Sequence, residues 1–427
     1  MLIAPQHVVL KHFKTVALDV AFYIARKITF NHEKTFSRFI IRLAIVATAV
    51  SVMSMIVTLA FVNGFQETIS EKVFSFWGHI RVQHFEVDKA LVAEETPIER
   101  NDTVEYILHH QQGIQQVQVY ATKSAVLAYH REIEGTLFKG INAGDDSSRL
   151  KPFLQKGRWL QFNDSSYSKE IIISTNIANK LNIQLGDTLR IFFISTDGSG
   201  NTYRKLKVVG LYKTGIEEYD KLFAIGDIRL IRRINNWPAN AIGGYEVFLN
   251  NYKDMNSVNQ ALLNQLPNVW SSKTIQDVYP NIFDWLNIQD VNRNVIFIVM
   301  SIVTIINLVT CLLILVLERT RMIGILKAIG ANDWLIQKIF LLYAWFIAGF
   351  GIGIGLIAGL GICLLQQFAG FIHLDESNYY VSVAPVHIIG WQVVLVCVAT
   401  ALVCLLALMV PTALVKKIQP VKAITFR

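Results

Sequence analysis

Cysteine is absent from the whole stretch between Gln66 and Asn294, and the four cysteines the chain has, Cys311, Cys363, Cys397 and Cys404, fall inside long apolar runs. A disulfide framework is therefore excluded for the intervening region, and no cysteine pair has metal-ligand spacing. Charge is scarce too: 17% of the 427 residues are charged against 52% hydrophobic, which is unusual for a soluble chain. No Gly-Lys-Ser/Thr triplet occurs, so the chain has no phosphate-cradling loop and any ATP hydrolysis belongs to another polypeptide. Met1 to Leu10 lacks a charged n-region and contains Pro5, so no secretory signal peptide is visible and the first apolar run is expected to serve as an uncleaved signal. No Asp or His sits in the middle of an apolar run, which argues against an intramembrane protease or proton relay.

What is present is a set of runs long enough for a hydrocarbon core of about 30 Å, which needs about 20 residues. Four qualify: 43–62, 295–317, 339–365 and 388–414. Fifteen Lys and Arg residues lie before the first run, in 318–338 and in the tail 415–427, against Asp19, Glu33, Glu318 and Asp333 only. The short loop 366–387 carries Asp375 and Glu376 and no Lys or Arg. By the positive-inside rule both termini and 318–338 are expected in the cytoplasm of an inner-membrane protein, with 66–294 outside. The basic balance thus reports topology, and nucleic-acid binding is not expected. Within the cytoplasmic N-terminus 1–42, Leu18, Ala21, Phe22, Ala25 and Ile28 form an apolar stripe, predicting an amphipathic helix in the membrane interface.

The outer region is large enough for more than one folding unit. Its pattern predicts a strand over 78–85, a helix over 103–111, strands over 115–129 and 132–142, and later a strand over 244–249 and a helix over 254–266. The fold class expected is a membrane α-helical protein of four transmembrane helices with a large α+β periplasmic domain. That domain has a split βαβ core, 66–150 and 243–290, around a β-rich insertion at 151–242. Within the insertion, Glu170 opens a buried strand followed by a short helix, a turn at Gly186-Asp187 and a second strand. A polar hairpin tip at 196–201 leads to a strand over 205–212.

The segment ERTRMIGILKAIGA begins at Glu318, at the exit of the second run. Met322, Ile325, Leu326 and Ile329 share a helical face at i, i+3, i+4 and i+7, with Arg319, Arg321 and Lys327 around them. A short helix of this kind can present an apolar ridge to a groove in a partner; the plainer alternative is that its basic residues anchor the helix end among lipid headgroups. The string resembles the stretch that leads into the coupling helix of permeases of the FtsX/MacB/LolC/LolE superfamily of ABC transporters. IANKLNIQLGDTLRI from Ile177, VVGLYKTGIEEYD from Val208, VNGFQ from Val62 and the terminal PVKAITFR carry the same resemblance.

Among its subgroups the lipoprotein-releasing LolC/LolE type is the best match, because no ATPase is fused. The resemblance implies a permease subunit that extracts lipoproteins from the outer leaflet of the inner membrane, with no active site of its own. ATP and Mg would be used by a LolD-like cytoplasmic ATPase, so no cofactor is expected on this chain. The other implied partners are a second permease copy or paralogue, lipoprotein cargo, membrane lipid and a periplasmic LolA-like carrier. The short, proline-free hairpin around 195–204 departs from the longer hook of the carrier-recruiting subunit. FtsX-type mechanotransmission to a cell-wall hydrolase and MacB-like export remain alternatives.

Arg319, Arg321, Met322, Ile325, Leu326, Lys327 and Ile329 are the residues expected to couple to the ATPase. Met53, Ile56, Val57, Phe61 and Phe65, near the outer end of the first run, are expected to line an apolar cargo cavity, with ordinary packing or lipid contact as the alternative for each. The glycines between 349 and 361 echo a nucleotide-binding repeat, but they lie in an apolar run with no preceding strand, where small residues let helices pack closely. His109-His110 point to different sides of a helix and are expected at the surface. Glu217, Glu218 and Asp220 are read as a solvated acidic turn.

Overall fold

A computed structural model describes residues 36–85, 96–163, 166–194 and 202–413. The interfacial helix expected near Leu18 to Ile28, the hairpin tip and the tail 415–427 lie outside the described residues. The chain divides into two compact units, one holding the apolar helices and the other formed by Gln66–Leu286 with His373–Val383.

Among the described residues four helices, Phe36–Trp77, Pro280–Glu318, Asp333–Ala369 and Gly390–Ala413, contain stretches long and apolar enough to cross a membrane. The first three outrun the apolar windows 43–62, 295–317 and 339–365, because a helix gains one hydrogen bond per added residue until a breaker intervenes. No proline follows Val62 before the end of the first helix, and Gln66, Glu67, Glu71 and Lys72 are good helix formers. That helix ends where Gly78 takes φ +71° and its N–H bonds to Phe74 O at 2.8 Å. Pro280 opens the second helix, its fixed φ suiting a first turn, and Gly370 at φ +57° closes the third.

Glycine spacing decides how the third span meets the first. A Cβ on Gly351 would lie 2.7 Å from Thr48 Cβ, on Gly355 2.6 Å from Ala49 O, and on Gly359 3.2 Å from Ile56 Cβ. The three recur at i, i+4 and i+8, so one face of the helix lets the backbones touch. Gly349, Gly353 and Gly361 have open space instead. Two apolar clusters fill this unit. One gathers Ile40, Ala44, Leu312, Leu315, Ile323, Phe340, Tyr343 and Cys404; the other gathers Val52, Met55, Ile56, Leu59, Val393 and Val396.

In the second unit the strands are β1 (Ile80–His84), β2 (Ile98–Glu99), β3 (Ile114–Tyr129), β4 (Glu132–Ile141), β5 (Leu154–Gly157), β6 (Glu170–Ser174), β7 (Thr188–Phe193), β8 (Thr202–Tyr212), β9 (Phe223–Asp227), β10 (Ala241–Ile242), β11 (Gly244–Leu249) and β12 (Trp270–Thr274). Ten of them form one sheet, running β12-β1-β11-β3-β4-β9-β6-β8-β5 with β7 against β3 and β8. The antiparallel quartet β12-β1-β11-β3, with helices Asp102–His110 and Met255–Gln265 as its two crossovers, is an interleaved split βαβ pair.

Of the strands in 151–242, β5 to β9 extend this same sheet, while β10 pairs with β2 in a separate two-stranded one. β3 is sixteen residues long: its first half pairs with β11 and its far end with β7, while β4 carries β9 in parallel register from Leu137↔Phe223. The core here is aromatic. Phe76 stacks on Tyr219 at 4.7 Å, Trp77 meets Phe223 edge-on at 5.1 Å, and Trp77 Nε1 donates to Tyr279 Oη at 3.0 Å. Two buried cations sit among the rings. Lys139 Nζ lies 4.3 Å from the Trp77 ring centre, pairs with Glu246 and donates to Phe76 O at the helix end; Arg81 lies 4.4 Å from a Trp77 ring centre and donates to Tyr120 Oη.

Candidate coupling segment

The connection between the second and third spans is built from a break, a short helix and a glycine turn. At Arg319 the backbone leaves the helix (φ −99°, ψ 18°), and Thr320 Oγ1 donates back to Leu317 O at 2.5 Å, satisfying a carbonyl the ended helix leaves open. Helix Thr320–Ala328 follows. It closes in a Schellman motif: the Gly330 N–H bonds to Lys327 O at 3.1 Å and the Ala331 N–H to Leu326 O at 2.9 Å. Gly330 sits at φ +91°, a conformation glycine adopts without a Cβ penalty. Lys327 Nζ then pairs with Asp333 at 2.9 Å across the turn, bracing the start of the third span.

Burial divides the face expected from the sequence. Ile323, absent from that face, is fully buried in the cluster to which all four spans contribute, and Met322 and Leu326 pack partly against it. Ile325 and Ile329 point away, 48% and 75% exposed, together with Trp334 at 59%. A single ridge of Met322, Ile325, Leu326 and Ile329 is therefore not formed: with helices on one side, residues one position off the ridge become the anchor and half the ridge turns inward. Arg321 is exposed, Arg319 half-buried, and Lys338 Nζ lies 3.7 Å over the Trp334 ring. Sequence reading missed both Ile323 and Trp334. The signal for Trp334 was available, since a large aromatic directly after the Asn332 helix start has no spacing that buries it.

The residues expected to line a cargo cavity are also dispersed. Ile56 is fully buried in the chain's own packing, beside Gly359, and Met53 meets the same glycine through its backbone. Ile56 is thus packed against the third span within this chain. Met53, Val57, Phe61 and Phe65 stay half-buried. In the second unit, Asp220 is buried and holds the Thr214–Gly215 turn, so the acidic turn is only partly solvated. Among the described residues no cluster of His, Cys, Asp and Glu could hold a metal ion.

These elements match known families. The model of the MacB-like periplasmic core domain matches residues 43–264, more than half of the chain, and that of the FtsX-like permease C-terminal region matches 294–420. The chain belongs to the FtsX/MacB permease family. Similar relatives extend along nearly the whole permease. The lipoprotein-releasing system transmembrane protein LolE of Haemophilus influenzae is 22% identical over 90% of this chain and 94% of its own length. LolC of Neisseria meningitidis is 22% identical over 92% of this chain and 95% of its own. The periplasmic region of MacB from Actinobacillus actinomycetemcomitans matches 48% of the permease and 91% of its own chain at 13% identity, with a TM-score of 0.33.

Proposed function

We propose that this permease is the membrane subunit of an ATP-driven transporter that lifts lipoproteins out of the outer leaflet of the inner membrane. The observation that carries the reading is the Ile325, Ile329 and Trp334 surface: three exposed apolar side chains spread over a short capped helix, its C-cap and the start of the third span, next to the anchor Ile323, which is rooted among residues of all four spans. Exposed side chains of this size fit a groove in a partner, and a push on them is delivered to every span at once. ATP and Mg belong to that partner, a separate cytoplasmic ATPase. The Lys and Arg distribution supports a topology with this segment and both termini in the cytoplasm and the MacB-like domain outside. A second permease completes the assembly, and a soluble carrier receives the cargo.

Lipoprotein as cargo rests on the kinship with LolE along 90% of the chain and with LolC along 92%. Extraction has to overcome about 0.8 kcal/mol for each buried methylene of the lipid anchor, a cost that calls for ATP. The test is reconstitution of the permease with its co-expressed ATPase and any paired permease in liposomes holding a triacylated lipoprotein, with carrier added. Ile325→Asp, Ile329→Asp and Trp334→Ala are expected to abolish ATP-dependent transfer while leaving the permease folded, since none of the three is buried. Vigorous ATPase activity without release of any lipoprotein would overturn the reading and favour mechanotransmission.

A further inference from the structure

The string VVGLYKTGIEEYD is not used by the coupling segment, yet its turn is built with unusual care. Buried Asp220 accepts from the Thr214 N–H at 2.9 Å, the Thr214 hydroxyl at 2.9 Å and the Gly215 N–H at 3.0 Å, fixing the turn from beneath. Gly215 holds φ +78°. A Cβ there would lie 2.5 Å from Glu376 Oε1, 2.9 Å from Lys72 Nζ and 2.9 Å from Tyr380 O, so the position is closed to any side chain. What fills the space is the short loop between the third and fourth spans. Lys213 pairs with Glu376, Lys72 Nζ donates to Tyr380 O at 2.8 Å, and Trp285 meets Tyr379 and Tyr380 edge-on at 6.4 and 6.1 Å.

The loop is shaped to be held. Its ends close in an antiparallel bridge between His373 and Val383, with the Leu374 N–H bonded to Ser382 O at 3.0 Å. Tyr380 takes φ +60°, a strained value for a bulky residue, at the carbonyl that Lys72 grips. Charge is complementary as well: the loop carries acids and no Lys or Arg, while Lys72 and Lys213 reach it from the domain. Residues His373–Val383 accordingly belong to the same compact unit as the sheet.

We propose that Lys72, Lys213 and Gly215 form a clasp for the 373–383 loop, a permanent tie that obliges the third and fourth spans to move with the MacB-like domain. The role in transport rests on the reading above; the tie itself does not. Because the Lys213–Glu376 pair is partly exposed, its loss barely affects folding, which leaves coupling as the quantity that changes.

The experiment uses the full complex in liposomes. With the four native cysteines replaced by Ala, a Lys213→Cys/Glu376→Cys pair is bridged with a short bismaleimide, and both ATP-dependent lipoprotein release and the ATPase rate are followed. Efficient bridging with release preserved is expected. Lys213→Glu and Glu376→Lys should each lower release about fivefold, and the double exchange should restore it. No bridging, release blocked by the bridge, or single charge reversals that release at the original rate would each overturn the clasp. If the original complex releases no lipoprotein, the transport reading fails on its own, and bridging yield with the ATPase rate still decides whether the clasp exists and couples.

Discussion

Lys139 Nζ lies 2.7 Å from Glu246 Oε1, with the two side chains 1% and 5% exposed. Burial pushes the Lys139 ammonium below its ordinary value and Glu246 opposes the shift, so each charge depends on the other. Lys139→Met strands a carboxylate in the core and is expected to cost about 3–5 kcal/mol. Lys139→Met/Glu246→Met should be much closer to the parent. Thermal unfolding of the purified full-length permease ranks the three proteins; a double variant as unstable as the single would show that the ion pair is not the reason.

Glycine position along the third span should matter by face. Gly355→Ala forces a methyl against the Ala49 carbonyl and is expected to destabilise by about 1–3 kcal/mol, because backbone cannot retreat as a flexible side chain does. Gly353→Ala meets open space and should be silent. Melting temperatures in one detergent decide this, and equal values for the two variants would refute the interhelix role.

Gly330→Val should cost about 1–2 kcal/mol locally, since φ +91° is a left-handed value. The Schellman cap would open and the Ile325–Ile329 surface would lose its angle to the third span. Expected is a permease of nearly unchanged melting temperature that fails to alter the activity of its ATPase. Normal coupling in Gly330→Val would show that the cap is dispensable.

A pH dependence is expected from His79. Its Nδ1 accepts the Leu249 N–H at 3.1 Å and its ring stacks on Phe74 at 4.2 Å, so the neutral form is the one held. Burial, helped by nearby Arg149, lowers it to about 4 from 6.5. Below 6.5 the unfolded chain takes up a proton that the folded chain refuses, so stability falls with pH until about 4. Between pH 7 and 5 this amounts to about 2 kcal/mol. His79→Phe should flatten that slope in thermal unfolding; an unchanged slope would place the titration elsewhere.

Much of the fold was legible because it is written in local patterns. Gly244–Leu249 stands as read, the helix Met255–Gln265 is shorter than expected by a residue at either end, and strand β4 stops one residue early. Helix ends were not legible from hydropathy: Gln66 to Trp77 is polar enough to leave a membrane yet helical until Gly78, and apolarity and helicity are separate properties. The coupling face failed differently. Periodicity at Met322 marks which residues share a side of a helix, but whether that side faces solvent is decided by the spans around Ile323. The clasp at Gly215 was beyond reach, since its partner Glu376 is distant in the chain and nothing local marks the pairing.

The place of β1 in the sheet has a consequence for biogenesis. Ile80 pairs with Val247 on one side and Thr274 on the other, so both neighbours of β1 are synthesised long after it. Until translation passes Leu249, β1 has no sheet partner on either side, and its second neighbour β12 follows only with Thr274; loop closure over so long a stretch is slow. The half-made domain therefore carries an open strand edge through most of its synthesis, the state in which pairing with a wrong chain is easiest. The order of synthesis and the order of the sheet are thus set against each other at that one strand.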